Sequence, residues 1–272
     1  MKLALGQLRI IWEDKNANLK RVEDCLKLLK TRGTQLLLLP EMSLTGFSME
    51  TERTKEAEKE TVKQVQELAT RYGMAIGVGW VKDTGALCEN HYSIVSPDGE
   101  LLDYAKLHPF GYGGETGYFQ GGKTLPVCAY EGIRIGVQIC YDLRFPEPFQ
   151  ILSKETDLIV VPANWPAARR EHWSCLLRAR AIENMVYLAG INCAGQMERL
   201  YYSGDSVLYA PDGQILEPEK LILDESCPEE QVLLYEIKND VSVYREHFPV
   251  KKDRRETLYK ILAGGMEHAG EK

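Results

Sequence analysis

No stretch of this 272-residue chain holds the roughly 18 consecutive apolar residues of a membrane-spanning helix. Its opening, MKLALGQLRIIWED, turns charged at Glu13 and Asp14, too soon for the apolar core and small-residue cleavage site of a signal peptide. A chain that neither crosses nor is exported through a membrane is expected. Basic residues are in deficit, with 33 Lys and Arg against 40 Asp and Glu, a formal charge of −7. That balance argues against nucleic acid as a partner, which calls for a basic patch or stripe. It leaves open a small anionic ligand held by a few local Arg or Lys residues. The seven cysteines, Cys25, Cys88, Cys128, Cys140, Cys175, Cys193 and Cys227, form no CxxC pair, and none sits near a His at zinc-ligand spacing. Neither a structural metal nor a disulfide framework is expected. Free thiols suit a reducing compartment, so the expected location is the cytoplasm. Linkers rich in Pro, Ser or Gly, repeats and low-complexity segments are also missing. One domain over 1–255 is expected, with a charged tail over 256–272 that is either loose or docked on a partner chain.

What the chain does have is a series of short apolar runs alternating with amphipathic stretches. Strands are expected at Leu3–Ile10, Gln35–Leu39, Ala75–Val81, His91–Ser96, Ile133–Cys140, Leu158–Val161, Val186–Asn192, Ser206–Tyr209 and Val232–Ile237. Runs this short, bounded by Gly, Pro or Asp, fit strands buried on both faces. Between them, Asn16–Thr31 places Leu19, Val22, Leu26 and Leu29 on one helical face, with Gly33 as the stop. Thr51–Arg71 and Pro166–Asn184 read as two further helices. Asp98-Gly99 and Asp212-Gly213 lie between strands and read as hairpin turns, so part of the sheet is antiparallel. The interleaving predicts an α/β domain with a mixed sheet.

Three segments share one feature, a reactive side chain at or just past a strand end, where α/β folds collect function. In LLLLPEMSLTGF, Glu41 follows the Leu run, and Met42, Leu44 and Phe47 offer apolar walls. Such walls favour the neutral form of a carboxyl group, the poise of a general acid–base. In LDYAKLHPF, Lys106 lies on an alternating segment. Pointing into a cleft, its charge would stabilise an oxyanion or lower a thiol pKa. In IRIGVQICYDLRFPE, Cys140 ends an apolar strand and precedes Tyr141, Asp142 and Arg144. A sharp turn there would expose a nucleophile and leave backbone N–H groups free for an oxyanion. The other six cysteines read as unreactive thiols.

These three segments, in this order, resemble the Glu–Lys–Cys segments of the nitrilase superfamily, the carbon–nitrogen hydrolases. VPANWPAARREHWSCLLRARAIENMVYLAGIN and YSGDSVLYAPDGQIL resemble that family's later stretches, so the likeness runs from Leu3 to about Asp253. GFSMETE, KLHPFGYGGETGYFQGG, NWPAARREHW and REHFPVKKD are similar to segments of its omega-amidase branch, which acts on 2-oxoglutaramate and 2-oxosuccinamate. Pro109 departs from the Leu that relatives often carry, which puts the pocket loop Phe110–Gly122, and with it substrate choice, in question.

The resemblance implies a four-layer α-β-β-α sandwich that pairs as a homodimer through its helix layers. It implies amide hydrolysis with water through a cysteine thioester and no cofactor. Cys140 would be the nucleophile and Glu41 the acid–base. Lys106 and the Tyr141 N–H would hold the oxyanion, with Glu115 as a second acidic residue beside the triad. His108 and His172 are read as structural. Candidates for clamping a substrate carboxylate are Arg144, Arg169 and Arg170, unless these pair with Glu147 or Glu183. Phe110, Phe119 and Trp165 are the expected apolar wall. Competing readings are an amidase for N-carbamoyl amino acids or dipeptide-like amides, a true nitrilase, a thiol redox protein and a non-catalytic binding protein.

Overall fold

The computed structural model describes residues 1–266. The strand Leu36–Leu38, with Leu39 after it, shows how the layers arise. Leu36 and Leu38 turn to one face and Leu37 and Leu39 to the other, as strand geometry requires, and all four are fully buried. Leu36 and Leu38 join Leu3, Leu5, Tyr92, Ile135, Val137 and Val160 in a core between two sheets. Leu37 and Leu39 meet Val22, Leu26, Leu29, Val65 and Leu68, the apolar stripes of the helices Lys15–Lys30 and Glu60–Tyr72. A third core packs Ile159, Val161 and Leu188 of the second sheet against Phe149, Trp173 and Leu177 from the helices Pro146–Leu152 and Arg170–Asn184. Helix, sheet, sheet and helix stack in that order, the expected four-layer sandwich. A strand buried on both faces has no polar side, which is why the Leu run is uninterrupted.

Both sheets are mixed. In the first, the spatial order is Glu219–Ile222, Gln231–Glu236, Lys2–Gln7, Leu36–Leu38, Ala75–Lys82, Glu89–Ser96 and Gly99–Ala105. The second runs Val207–Tyr209, Tyr187–Asn192, Leu158–Ala163, Ile133–Val137 and Val127–Tyr130. Lys2–Gln7, Leu36–Leu38 and Ala75–Lys82 are parallel neighbours, as are Ile133–Val137, Leu158–Ala163 and Tyr187–Asn192. The Asp98-Gly99 turn joins antiparallel strands as expected. Gly213, at φ +82°, turns the chain between Tyr209 and Ile215.

Several expectations needed correction. The helix expected over Thr51–Arg71 is broken. After a single turn, Thr51–Thr54, the pair Lys55–Glu56 runs parallel to Val81–Lys82 at the end of an inner strand of the first sheet. The buried Glu56 carboxylate then accepts the Thr61 N–H at 2.9 Å and the Lys15 ammonium at 2.6 Å, pinning the chain where a continuous helix would carry Glu56 away. The strand expected to reach Cys140 ends at Val137, and Cys140 opens a 3₁₀ helix, Cys140–Arg144. The Pro166–Asn184 helix starts at Arg170, after a 3₁₀ turn at Ala167–Arg169. Strands Val127–Tyr130 and Glu219–Ile222 and the hairpin Ala194–Met197 with Leu200–Ser203 lacked a readable pattern. Within the tail, Glu256–Met266 is helical, and 267–272 lie outside the described residues. No described helix is long and apolar enough to cross a membrane.

Candidate active site

Glu41 stands three residues past the Leu36–Leu38 strand, at a tight turn in which Met42 takes φ +44° and its carbonyl accepts the N–H groups of Thr45 and Gly46. The turn lies flat against the neighbouring strand. Ser43 N donates to the Gly79 carbonyl at 3.0 Å, and Gly79 N donates to Ser43 Oγ at 2.8 Å. A Cβ on Gly79 would stand 2.3 Å from Met42 N, so only glycine lets the turn approach this closely. The Glu41 carboxylate is fully buried. Its Oε1 accepts Lys106 Nζ at 3.0 Å and Asn90 Nδ2 at 2.8 Å. Its Oε2 accepts the Asn164 backbone N–H at 2.9 Å.

Lys106 follows the Gly99–Ala105 strand, held by its N–H to the Asn90 carbonyl at 2.8 Å. Its ammonium is buried and lies between Glu41 and Glu115, 2.8 Å from Glu115 Oε2 and 5.2 Å from the centre of the Phe47 ring. Burial alone would push the ammonium toward neutrality. The two carboxylates outweigh it and raise the pKa well above the usual lysine range, so Lys106 is a fixed cation. Glu115 stands on a 3₁₀ turn and accepts the Phe110 N–H. Burial pushes its carboxyl up, against the pull of Lys106.

Cys140 occupies the turn itself, at φ +45°, a conformation uncommon for a residue with a Cβ. The next residues curl into the 3₁₀ helix, whose first N–H groups have no intrahelical acceptor. The thiol is pushed well above its ordinary range, first by burial and then by the charge of Glu41, with Lys106 pulling the other way. Lys106 does lower the thiol pKa as expected, but enclosure and two carboxylates outweigh its one ammonium. Both influences favour the protonated thiol over the thiolate.

A cavity of about 250 Å³ opens above Cys140. Phe47, Phe110, Tyr141, Trp165 and Tyr202 form much of its wall, and Arg144 and Arg169 also line it. The Arg144 guanidinium lies 4.8 Å from the Trp165 ring centre and 5.9 Å from that of Tyr141. That of Arg169 lies 5.7 Å from the Phe110 ring centre. Among the described residues neither makes an ion pair; Glu183 is taken by Arg180 at 3.0 Å. Arg170 departs from the expected clamp, pairing with Asp205 at 2.7 Å away from the cavity lining. Phe119 departs from the expected wall. It is buried behind the site with Met42, Val81 and Cys88, where it supports Phe47 and does not reach the cavity. His108 binds the Asp142 carboxylate at 2.8 Å, and His172 meets Arg144 at 3.4 Å. Among the described residues no group of His, Cys, Asp and Glu is arranged to hold a metal.

Asn90, Asn164 and Tyr202 escaped the sequence reading, Phe47 lines the cavity as the apolar wall expected of it, and Asp142 was noted only as part of the turn. Asn164 was findable, since it directly follows the apolar strand LIVVPA as Glu41 and Cys140 follow theirs. Asn90 sits in an unremarkable strand, and Tyr202 on a hairpin without an alternating pattern.

Comparison with known proteins agrees with this geometry. A family model described as carbon-nitrogen hydrolase matches residues 2–245. An omega-amidase, YafV, of Yersinia enterocolitica is 36% identical, covering 93% of this chain and 96% of its own. A 2-oxoglutaramate amidase of Bacillus subtilis is 29% identical, over 93% and 97%. A solved structure of a CN-hydrolase superfamily protein from Xanthomonas campestris, with an arsenic adduct in its active site, superposes with a TM-score of 0.84 at 31% identity, over 93% of this chain and 97% of its own.

Proposed function

The chain belongs to the carbon–nitrogen hydrolase family and is an amide-hydrolysing enzyme, and on that premise we propose that it hydrolyses the side-chain amide of short 2-oxo dicarboxylic monoamides such as 2-oxoglutaramate and 2-oxosuccinamate. The observation that carries the reading is the small cavity over Cys140 with Arg144 and Arg169 in its wall, neither of which meets a carboxylate among the described residues. An apolar cavity of that size suits a short substrate, and an unpaired guanidinium suits its remaining carboxylate. Names of the relatives point the same way.

Chemistry follows from the resting charges. An amide is a poor electrophile and its nitrogen a poor leaving group, so the reaction needs a strong nucleophile and a proton donor. Cys140 Sγ attacks the amide carbon as its proton passes to Glu41. The tetrahedral oxyanion is held by Lys106 and the Tyr141 N–H, each donor contributing on the order of 3 kcal/mol. Glu41 returns the proton to nitrogen, the C–N bond breaks and ammonia leaves a thioester on Cys140. Water, deprotonated by Glu41, then adds to the thioester and releases the dicarboxylate and the thiol. Glu115 keeps Lys106 in place throughout. The cycle is closed by residues of the site and water, without a cofactor.

Ammonia release from 2-oxoglutaramate, measured against a panel of N-carbamoyl amino acids, simple amides and nitriles, tests the assignment. The two 2-oxo monoamides should exceed the others in kcat/KM by about two orders of magnitude, the scale of a buried ionic contact present or missing. Equal turnover of all amides would overturn it. We also propose a homodimer formed through the outer helix layer, where Ile182, Val243 and Phe248 are exposed; light scattering that gives a monomer mass would exclude it. The seven unpaired cysteines fit a cytoplasmic location.

A further inference from the structure

The catalytic groups come from two sheets that share no hydrogen-bonded strand pair. Glu41 and Lys106 belong to the first, and Cys140 to the second. A sulfur and an ammonium on separate sheets keep a working distance only if something ties the nucleophile turn to the lysine segment. Asp142 lies at that junction. Its carboxylate is fully buried and accepts four hydrogen bonds. Oδ2 takes the Tyr104 hydroxyl at 2.8 Å and the Ile139 N–H at 2.9 Å. Oδ1 takes the His108 N–H at 2.9 Å and His108 Nδ1 at 2.8 Å. Tyr104 and His108 stand two residues before and two residues after Lys106, and Ile139 immediately precedes Cys140.

We propose that Asp142 is a positioning residue, a latch between the sheets that holds the strained Cys140 turn in register with Lys106. Burying a carboxylate is costly unless donors satisfy it, and bonds to an ionised acceptor are shorter and stronger than neutral ones. Four such bonds make the group a rigid node. The donors are themselves fixed. Gln138 Nε2 donates to the Tyr104 oxygen at 3.0 Å, so the hydroxyl proton is committed to Asp142. The His108 ring stacks on Phe145 with centres 3.9 Å apart. A residue that merely capped the 3₁₀ helix would need only the Ile139 N–H. Three of the four donors come instead from the segment that carries Lys106, which a capping role leaves without purpose. A positive φ at a residue with a Cβ persists only where its surroundings over-determine it, and this latch supplies that constraint.

Asp142→Asn keeps the size of the side chain but sets an NH2 against the donors on one side. This inference rests on the amidase reading only for turnover, since alkylation of Cys140 by iodoacetamide needs no amide. In folded Asp142→Asn, kcat should fall about 100-fold, the cost of a misplacement near 1 Å, with KM within about threefold. The pH midpoint of Cys140 alkylation should move down toward that of an ordinary thiol as the sulfur leaves its enclosed place beside Glu41. A lower melting temperature with kcat within about threefold and an unmoved alkylation curve would leave only a cap, and the latch would be wrong. If Asp142→Asn does not fold, Tyr104→Phe decides. It removes one donor and should lower kcat about five- to tenfold at constant KM, in keeping with one hydrogen bond; unchanged kcat and alkylation would overturn the proposal. Should wild-type enzyme turn over none of the amide panel while Asp142→Asn still shifts the alkylation curve, the substrate assignment fails and the latch stands.

Discussion

Two strand ends, one from each sheet, make the proposed site, and they are built in opposite ways. At the end of Leu36–Leu38 the functional group is held by its side chain: Glu41 is bound by Lys106, Asn90 and Asn164. At the end of Ile133–Val137 the functional group is held by its backbone. The Cys140 main chain is strained and braced through Ile139 and Asp142, while its thiol faces the cavity. The contrast separates two requirements. A general acid–base must offer one oxygen in one place through several proton transfers, so its side chain is pinned. A nucleophile must move its sulfur into a bonding distance, so the chain beneath it is pinned and the side chain left free. Asn164 and Asp142 then serve as reciprocal ties, since Asn164 of the second sheet grips Glu41 of the first and Asp142 grips the segment around Lys106.

Substitutions at the two ends should fail differently. The largest effect is expected from Cys140→Ala, which removes the nucleophile and should lower kcat by roughly 10⁴ or more while the protein stays folded. Mass spectrometry of the wild type quenched during turnover should find an acyl group on Cys140 alone, and near-full turnover by the variant would refute the thioester path. Glu41→Gln should cost about 10²–10⁴ in kcat. Because the Glu41 charge holds the Cys140 thiol up, its removal should shift thiolate formation, and so the alkylation curve, to lower pH. A shift to higher pH would mean that the two groups do not face each other as described. Gly79→Ala changes no catalytic side chain but sets a Cβ 2.3 Å from Met42 N and 2.9 Å from the Glu41 carbonyl carbon, forcing the turn from its strand; a fall in kcat of about 100-fold is expected from displacement, with a smaller shift of Cys140 alkylation than in Glu41→Gln. If alkylation moved as much as turnover, the two ends would not be independently held. Smallest is Arg144→Gln, expected to raise KM for a 2-oxo monoamide about tenfold, roughly one charge-assisted hydrogen bond, and to leave KM for an uncharged amide unaltered.

Much of this was legible in the chain. The period-two burial of the Leu run, the helical stripe through Val22, Leu26 and Leu29, and the placement of Glu41, Lys106 and Cys140 at strand ends follow from local spacing and from where polar groups stand relative to apolar runs. Less legible was whatever depends on a partner distant in sequence. Glu56 breaks a helix because Lys15 and Thr61 take its carboxylate. Phe119 and Phe110 are the same residue type nine positions apart, yet one lies behind the site and the other on its wall. Arg144, Arg169 and Arg170 were equivalent candidates until Asp205 was seen to neutralise the last.

By itself the sequence determined which faces of its strands and helices are buried and which side chains are candidates for the reaction, while the layer order came with the family resemblance. Apolar periodicity dictates which faces are buried, and only a few side chains can do this chemistry. The tertiary structure alone decided the state of those groups. Whether a thiol is neutral, an ammonium permanently charged or a guanidinium free depends on burial and on charges within a few ångströms, and those neighbours come from segments as far apart as Glu41 and Asn164.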